Sequence, residues 1–328
     1  MAFSTRDDAL PLPYSKALES LSLGPLWTAL HVLLPHQRVT AAVPHCWSWR
    51  DVRPLLHDAA RLVPIEQAER RVLVLENPGL KGSYAVTSTL YAGLQVILPG
   101  EAAPSHHHTP SALRLVVEGE GAFTTVDGVK CAMEPGDFII TPPMRWHDHG
   151  HEGTTPVVWL DGLDIPLVRA FDASWVSRTR PAQPPTATEV PGYPQLRWPW
   201  RTVRRTLEAL AGDTPADTPV TLAYAMPTTG APPLPTMGAE AHWLRSGERA
   251  RPGRSIASRV FHVVEGHGRS TIGDATLTWE TGDTFVAPPW HWIEHANASA
   301  ADPACLFSFN DEPALRALRL YDEEPPPR

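Results

Sequence analysis

From Arg70 onward the chain carries the short apolar runs and alternation of β-strands. Arg70-Arg71-Val-Leu-Val-Leu75 is one such run, and Thr87-Ser-Thr-Leu-Tyr91-Ala-Gly93-Leu-Gln95-Val-Ile97 is a longer one. Side chains alternate across a strand, so Tyr91, Gly93 and Gln95 share a face. The pattern then recurs. Val116-Val-Glu-Gly-Glu-Gly121 is matched by Val263-Val-Glu-Gly-His-Gly268, and Pro135-Gly-Asp-Phe-Ile-Ile-Thr-Pro142-Pro143 by Thr281-Gly-Asp-Thr-Phe-Val-Ala-Pro288-Pro289. Duplication at this distance predicts two copies of one β-rich fold. Helical periodicity is confined to the flanks: around Tyr14 to Leu21, from Pro25 to Leu34 where Pro35 ends it, and from Arg201 to Ala211. Two proline-dense strips, Ala182 to Pro194 and Pro227 to Thr236, read as extended connections. The expected division is a helical and loop segment over 1–60, a first barrel over 61–180, a linker and helix over 181–217, a second barrel over 218–320 and a disordered tail over 321–328.

Length agrees with this, because 328 residues exceed what one core usually supports. No apolar run approaches the roughly 18 to 20 residues of a membrane span, and the start, Met1-Ala-Phe-Ser-Thr-Arg, lacks a signal peptide's apolar centre. The expectation is a cytoplasmic protein. Cys46, Cys131 and Cys305 are odd in number and far apart, which argues against a disulfide framework or a thiolate metal site. A formal charge of −8 with scattered basic residues gives no footprint for nucleic acid. Trp47 and Trp49 are expected to cover a barrel edge or a subunit contact. His31, His36, His45 and His57 share no spacing and are expected to pack or face solvent.

The candidate chemistry lies between Gly100 and Asp164. His106 and His108 stand two apart and so point the same way along a strand, with His107 facing outward. After the turn at Pro135-Gly136-Asp137 a later strand can bring His147 alongside them, giving three imidazoles for one ion. Iron, zinc and nickel all accept such ligands. His149 shares the face of His147 and could contact substrate or support a ligand, whereas His151 is expected in an exposed turn. If one strand runs on from His106, position 114 falls on the same interior face, placing Arg114 near the metal. A buried guanidinium needs a partner: a substrate carboxylate, which arginine can hold with two bonds, or an internal carboxylate such as Asp161. The pair Arg70 and Arg71 could form a solvated salt-bridge cluster with Glu66 and Glu69. Tyr91, Gly93 and Gln95 could line the site, or Tyr91 could be barrel filling and Gly93 a bend.

These residues sit in a recognisable frame. Gly100, His106, His108 and Gly121 fit the first cupin motif, and Gly136, Pro142 and His147 fit the second. Arg114 stands at about the place of the motif's glutamate ligand, Met144 replaces its glycine and His151 its asparagine. The longer run, His-x-His108-Thr-Pro-Ser-Ala-Leu-Arg114, then Trp146-His-Asp-His-Gly150, then Trp159-Leu-Asp-Gly-Leu-Asp-Ile-Pro-Leu167, is similar to gentisate 1,2-dioxygenases and their salicylate-cleaving relatives.

The resemblance implies an all-β bicupin with peripheral helices, built of two double-stranded β-helix (jelly-roll) barrels. It implies one Fe(II) per chain in the N-terminal barrel, held by His106, His108 and His147, with O2 as co-substrate. The substrate would be a small aromatic hydroxy acid, cleaved between its carboxyl-bearing and hydroxyl-bearing carbons. Gentisate, giving maleylpyruvate, leads; salicylate, a substituted salicylate and 1-hydroxy-2-naphthoate stay open. Arg114 and His149 would hold the substrate, Asp161 would orient Arg114 or a histidine, and Arg70, Tyr91, Gly93 and Gln95 would line the pocket. A homotetramer is also implied. Carrying the ligand positions into the second repeat lands on Gly253, Ser255 and Ile293, none of which binds metal, so that barrel is expected to be metal-free despite His291 and His295. A metal-dependent isomerase or lyase, and a non-catalytic binding bicupin, are the alternatives of another class.

Overall fold

The computed structural model describes residues 10–178, 186–188, 195–216 and 218–324. It falls into two compact units, residues 1–40 and 41–328. The first carries two short helices, Leu12–Ser20 and Leu26–Leu33, with no buried side chain on either. In the second, the duplication becomes two β-barrels whose principal sheets have the same strand order. The first barrel's six-stranded sheet runs Arg197–Trp198, Phe138–Thr141, Ala112–Glu118, Val157–Leu163, Tyr91–Ile97, Arg71–Val74. The second barrel's runs His45–Trp47, Thr284–Ala287, Arg259–Glu265, Ala304–Asn310, Gly238–Leu244, Val220–Ala223.

These central strands are apolar on both faces, and the packing shows why. Along Ala112–Glu118, Leu113 and Leu115 join the large core shared with Phe307 and Phe309 of the other barrel, while Val116 points into its own barrel with Ile139 and Trp159. Phe138 and Phe307 lie 5.4 Å apart by ring centroid. A side chain at Gly162 would meet the Phe309 ring at 2.8 Å, so only glycine permits that approach. Burying a phenylalanine here stabilises the pair by an amount that its truncation to alanine would reverse at about 3–5 kcal/mol.

Each repeat also lends its leading elements to the other barrel. His45–Trp47 pairs with Thr284–Ala287 of the second barrel, and the helix Trp49–Leu62 begins there, its Trp49 backbone N–H donating to Asp283 Oδ1 at 2.7 Å. In mirror fashion Arg197–Trp198 pairs with Phe138–Thr141 of the first barrel, and the helix Trp200–Asp213 begins with Trp200 N–H donating to Asp137 Oδ1 at 2.9 Å. A carboxylate at a helix N-terminus satisfies an otherwise unpaired N–H and favours the helix dipole. The side chains of Trp49 and Trp200 lie over Gly282 and Gly136, where a Cβ would come within 2.6 and 2.5 Å of the indole. Two further ties cross over: Thr236 donates to Asp164 and Thr89 to Asp311.

Several expectations change. The segment over 1–60 is not one unit, because from Ala41 it belongs to the barrels, and the pair Trp47 and Trp49 dresses the second barrel. The tail is not disordered where it begins: Glu323–Glu324 pairs with Arg254–Ser255, and Arg254 bonds Glu324 at 2.8 Å. Charge pairing across the short ladder overrode what composition suggested. Residues 325–328 lie outside the described residues, as does most of the proline-rich linker; within it Ala187–Thr188 forms a parallel pair with Val129–Lys130. No helix among the described residues is long and apolar enough to cross a membrane.

Asp137 is 1 % exposed, and it also accepts from Arg197 Nε at 2.6 Å. Asp137→Ala should therefore lower unfolding stability by about 3 kcal/mol, since it strips both a helix cap and the nearer of two carboxylate partners from the largely buried Arg197 guanidinium. Denaturant titration followed by tryptophan fluorescence checks this, and an unchanged midpoint would contradict the cross-over as a source of stability.

Candidate functional site

The first barrel's second sheet carries the histidines. His106 and His108 lie on Ala102–His108, His147 on the antiparallel neighbour His147–His151, and the register sets His106 directly opposite His147. A bulge between Ala103 and His106 adjusts the ladder just before the histidines. The three imidazoles offer nitrogens all within 4.8 Å of one another. His107 points away and stacks on Trp146 at 4.0 Å.

The hydrogen bonds of two of the three favour a metal. His108 Nδ1 sits 2.7 Å from the carbonyl of Pro110 and His147 Nδ1 3.0 Å from that of Arg145. A carbonyl only accepts, so each Nδ1 carries the proton and each Nε2 presents a lone pair. His147 Nε2 is buried with no hydrogen-bond partner, the condition expected of a ligand atom facing a cation. Among the described residues this is the one group of three or more such side chains close enough to hold an ion.

Above the histidines opens a cavity of about 400 Å³, lined also by Arg70, Tyr91, Gln95, Arg114 and Asp161. Arg114 does not continue the histidine strand. It sits on the next one, Ala112–Glu118, and reaches the interior through that strand's own alternation, facing Asp161 across the ladder. Its Nε is 3.3 Å from Asp161 Oδ1 and its Nη1 donates to Thr141 Oγ1 at 2.6 Å. The internal carboxylate is thus a partner of Arg114 in this structure.

The cupin-domain model matches residues 93–163, which hold all these histidines. Gentisate 1,2-dioxygenase of a Ralstonia species is 42% identical across 97% of this chain and 95% of its own length. Gentisate 1,2-dioxygenase 1 of Aquipseudomonas alcaligenes is 40% identical across 94% of each. The chain belongs to the gentisate and salicylate 1,2-dioxygenase family. The crystal structure of a family member, salicylate 1,2-dioxygenase from Pseudoaminobacter salicylatoxidans in adducts with gentisate, covers 98% of this chain with 96% of its own, at 33% identity and a TM-score of 0.87.

Against the family frame the remaining residues fall into place or depart from expectation. Arg70 turns into the cavity, its Nη2 2.7 Å from His106 Nδ1, while Glu69 pairs instead with Arg178 at 2.9 Å. The solvated cluster with Glu66 and Glu69 therefore does not form. Tyr91 and Gln95 line the cavity. Gly93 does not line it: a Cβ there would meet Val72 Cγ1 at 2.6 Å and the Tyr91 hydroxyl at 2.7 Å, so the room it leaves is taken by Tyr91. It sits in a regular strand rather than at a bend. His149 also stays off the cavity surface. It is 2 % exposed, packed 5.3 Å from Trp159 and 5.9 Å from His147, with its Nδ1 unpartnered. His151 is no turn residue. It is buried at the end of its strand, with Nε2 2.6 Å from the Thr155 carbonyl and Nδ1 accepting from Gly153 N–H at 3.0 Å. Asn297, at the same place in the second barrel, ties down its own loop through Asp302 and Ser299; His151 performs that task with a ring.

Trp175 and Val176 went unforeseen. After the helix Ile165–Ala170 the chain returns, and Val176–Ser177 pairs with His108 and His107, bringing Trp175 to the cavity mouth. A two-residue strand has no readable periodicity, so no signal marked it.

Burial and neighbouring positive charge hold the ligands neutral. His106 is pushed down to about 2, by burial and then by Arg70; His108 to about 4, by burial; and His147 far below its ordinary value by burial and then by His106. Burial raises the Asp161 carboxyl to about 6 against the opposing pull of Arg114, and lowers Arg70 to about 10 with help from Arg114. With no imidazolium to discharge, a divalent metal should enter the metal-free protein near pH 7 without releasing protons from its ligands. Calorimetric titration in two buffers of different ionisation heat should give equal enthalpies. A buffer-dependent heat, signifying about one proton or more released, would contradict the neutral set.

Proposed function

We propose that this protein is an Fe(II)-dependent ring-cleaving dioxygenase acting on an aromatic hydroxy acid, with gentisate as the leading substrate. The observation that carries the reading is the juxtaposition of a buried three-histidine cluster with two guanidinium groups and one carboxylate. Three neutral imidazoles leave a divalent ion its full charge, and Arg70 and Arg114 outnumber Asp161, so the cavity favours an anionic ligand. Iron bound by His106, His108 and His147 would supply the open positions and redox chemistry that join O2 to the ring.

The chain's own residues do the rest. Arg114, held in place by Thr141 and Asp161, presents its guanidinium to the substrate carboxylate and orients the ring. Arg70 Nη2 lies 2.7 Å from His106 Nδ1, and a guanidinium only donates. An ion held through His106 Nε2 would require the ring proton on Nδ1, and Arg70, which lines the cavity, would then be available to the substrate. Tyr91 and Gln95 flank the ring. His149, held neutral by burial and then by Arg114, packs beside His147 and supports that ring from behind the cavity wall. Asp161 is a positioning residue. Trp175 and the return strand narrow the mouth and limit water.

Salicylate is the second reading, favoured by the likeness to the salicylate enzyme's structure. A reducing, cytoplasmic setting fits Cys46 and Cys305, which form no disulfide. The exposed apolar side chains of residues 1–40, including Leu26, Trp27 and Leu33, support association into the tetramer that the resemblance implies.

Anaerobic loading with Fe(II), followed by an oxygen electrode, should show uptake with gentisate and ring-opened product. Arg114→Leu should retain metal yet lose about 10²–10³-fold in kcat/KM, through lost orientation and charge stabilisation. Folded, iron-loaded protein that takes up no oxygen with gentisate, salicylate or their ring-substituted relatives would overturn the assignment. Light scattering on the same preparation should report a tetramer, and a monomer would remove that part.

A further inference from the structure

The second barrel has lost metal ligands but has not closed. Gly253 and Ile293 bridge each other as His106 and His147 do, and beside them remains a cavity of about 320 Å³. That volume falls within the range of small-molecule sites, roughly 300–1,000 Å³. Phe261, which lines it, pairs with Ser308 where the first barrel sets Arg114 against Asp161. Its polar lining includes His242, His295 and Glu240, beside the charged Arg251, Arg254 and Arg259.

The hydrogen-bond network fixes what these groups offer. Trp279 Nε1 donates to Ser270 Oγ at 2.8 Å, and the same Oγ lies 2.7 Å from His295 Nδ1. Ser270 is fully buried, so its own proton goes to that imidazole nitrogen rather than unpaired. His295, pushed down to about 3 by burial, is neutral, and its proton therefore sits on Nε2 as a donor. The ring stands edge-on to Phe261 at 4.8 Å. His242 is neutral for the same reason, with Nε2 2.8 Å from Ser308 Oγ and Nδ1 3.2 Å from Thr221 Oγ1. Its ring is 6.5 Å from that of His295. Glu240 Oε2 receives Arg259, while Oε1 has no donor among the described residues. The three arginines lining the cavity are already engaged: Arg259 by Glu240 and Glu312, Arg254 by Glu324, and Arg251 by a contact of its own. In the first barrel two arginines share one carboxylate; here none is left for a ligand's negative charge.

We propose that the second barrel holds a metal-independent site for a neutral, single-ring phenol. Its hydroxyl accepts from His295 Nε2 and donates to Glu240, and its ring packs against Phe261 and Ile293. The site stands independently of whether the first barrel cleaves rings. Phenol is the probe, and benzoate its anionic counterpart. Calorimetric titration of the full chain should show one phenol per chain, with benzoate at least about tenfold weaker. Gly253→Phe should weaken phenol binding by about tenfold or more, because a Cβ there meets nothing within 4 Å and a ring would fill the cavity without displacing its walls. His295→Gln should do the same if the filled variant fails to fold, and His108→Ala in the first barrel should leave the affinity unchanged. No saturable phenol binding, equal binding of benzoate, or binding lost in His108→Ala but kept in both second-barrel variants would each overturn the proposal.

Discussion

The site depends on a register. His106 faces His147 across an antiparallel ladder, and a slip of one residue would turn His107 inward and send both ligands to the outer surface. What fixes the register is burial elsewhere: the opposite sheet of the barrel is packed on both faces, by its own interior and by the other barrel's Phe307 and Phe309. The second barrel is thus more than a remnant. Its sheet, its loan of the strand Arg197–Trp198 and the buried carboxylates at Asp137 and Asp283 make the frame on which the histidines converge.

Once the imidazoles converge, electrostatics selects the ligand. Burial removes their ability to carry charge, so the site's positive potential comes from Arg70, Arg114 and whatever ion the histidines hold. Asp161 answers only part of it, at 3.3 Å from Arg114. A carboxylate-bearing ring completes the balance, which is the same physical reason that a lone buried arginine would be untenable. The twin cavity reverses this arithmetic, with its guanidinium groups paired and its imidazoles neutral.

Much of this was legible in the chain. The repeated Val-Val-Glu-Gly and Gly-Asp turns marked two barrels, and the His-x-His pair with His147 marked the cluster, because strand alternation is a local rule that spacing reveals. The loaned elements were not legible: His45–Trp47 is three residues long, and its partner lies some 240 positions away. Arg114 was placed in the interior by alternation along a single strand, whereas a turn at Thr109 to Ser111 starts a new strand; the face was right and the path was not. His151 and Gly93 departed from expectation, and His149 was left with its supporting role alone, because each depends on packing that spacing does not encode: the Thr155 carbonyl of the following loop, Val72 and the Tyr91 hydroxyl, and Trp159 on another strand. Trp175 depends on a return of the chain that composition does not announce.

The two barrels have the same ladder and different residues on it. Where the first has His106, His108 and His147, the second has Gly253, Ser255 and Ile293, so ion binding should be confined to one of the pair. Counting metal in protein reconstituted anaerobically with excess Fe(II) and freed of unbound ion by gel filtration tests this most directly. The expected value is one iron per chain, falling to none in His108→Ala; a count near zero or near two in the unaltered protein would contradict it.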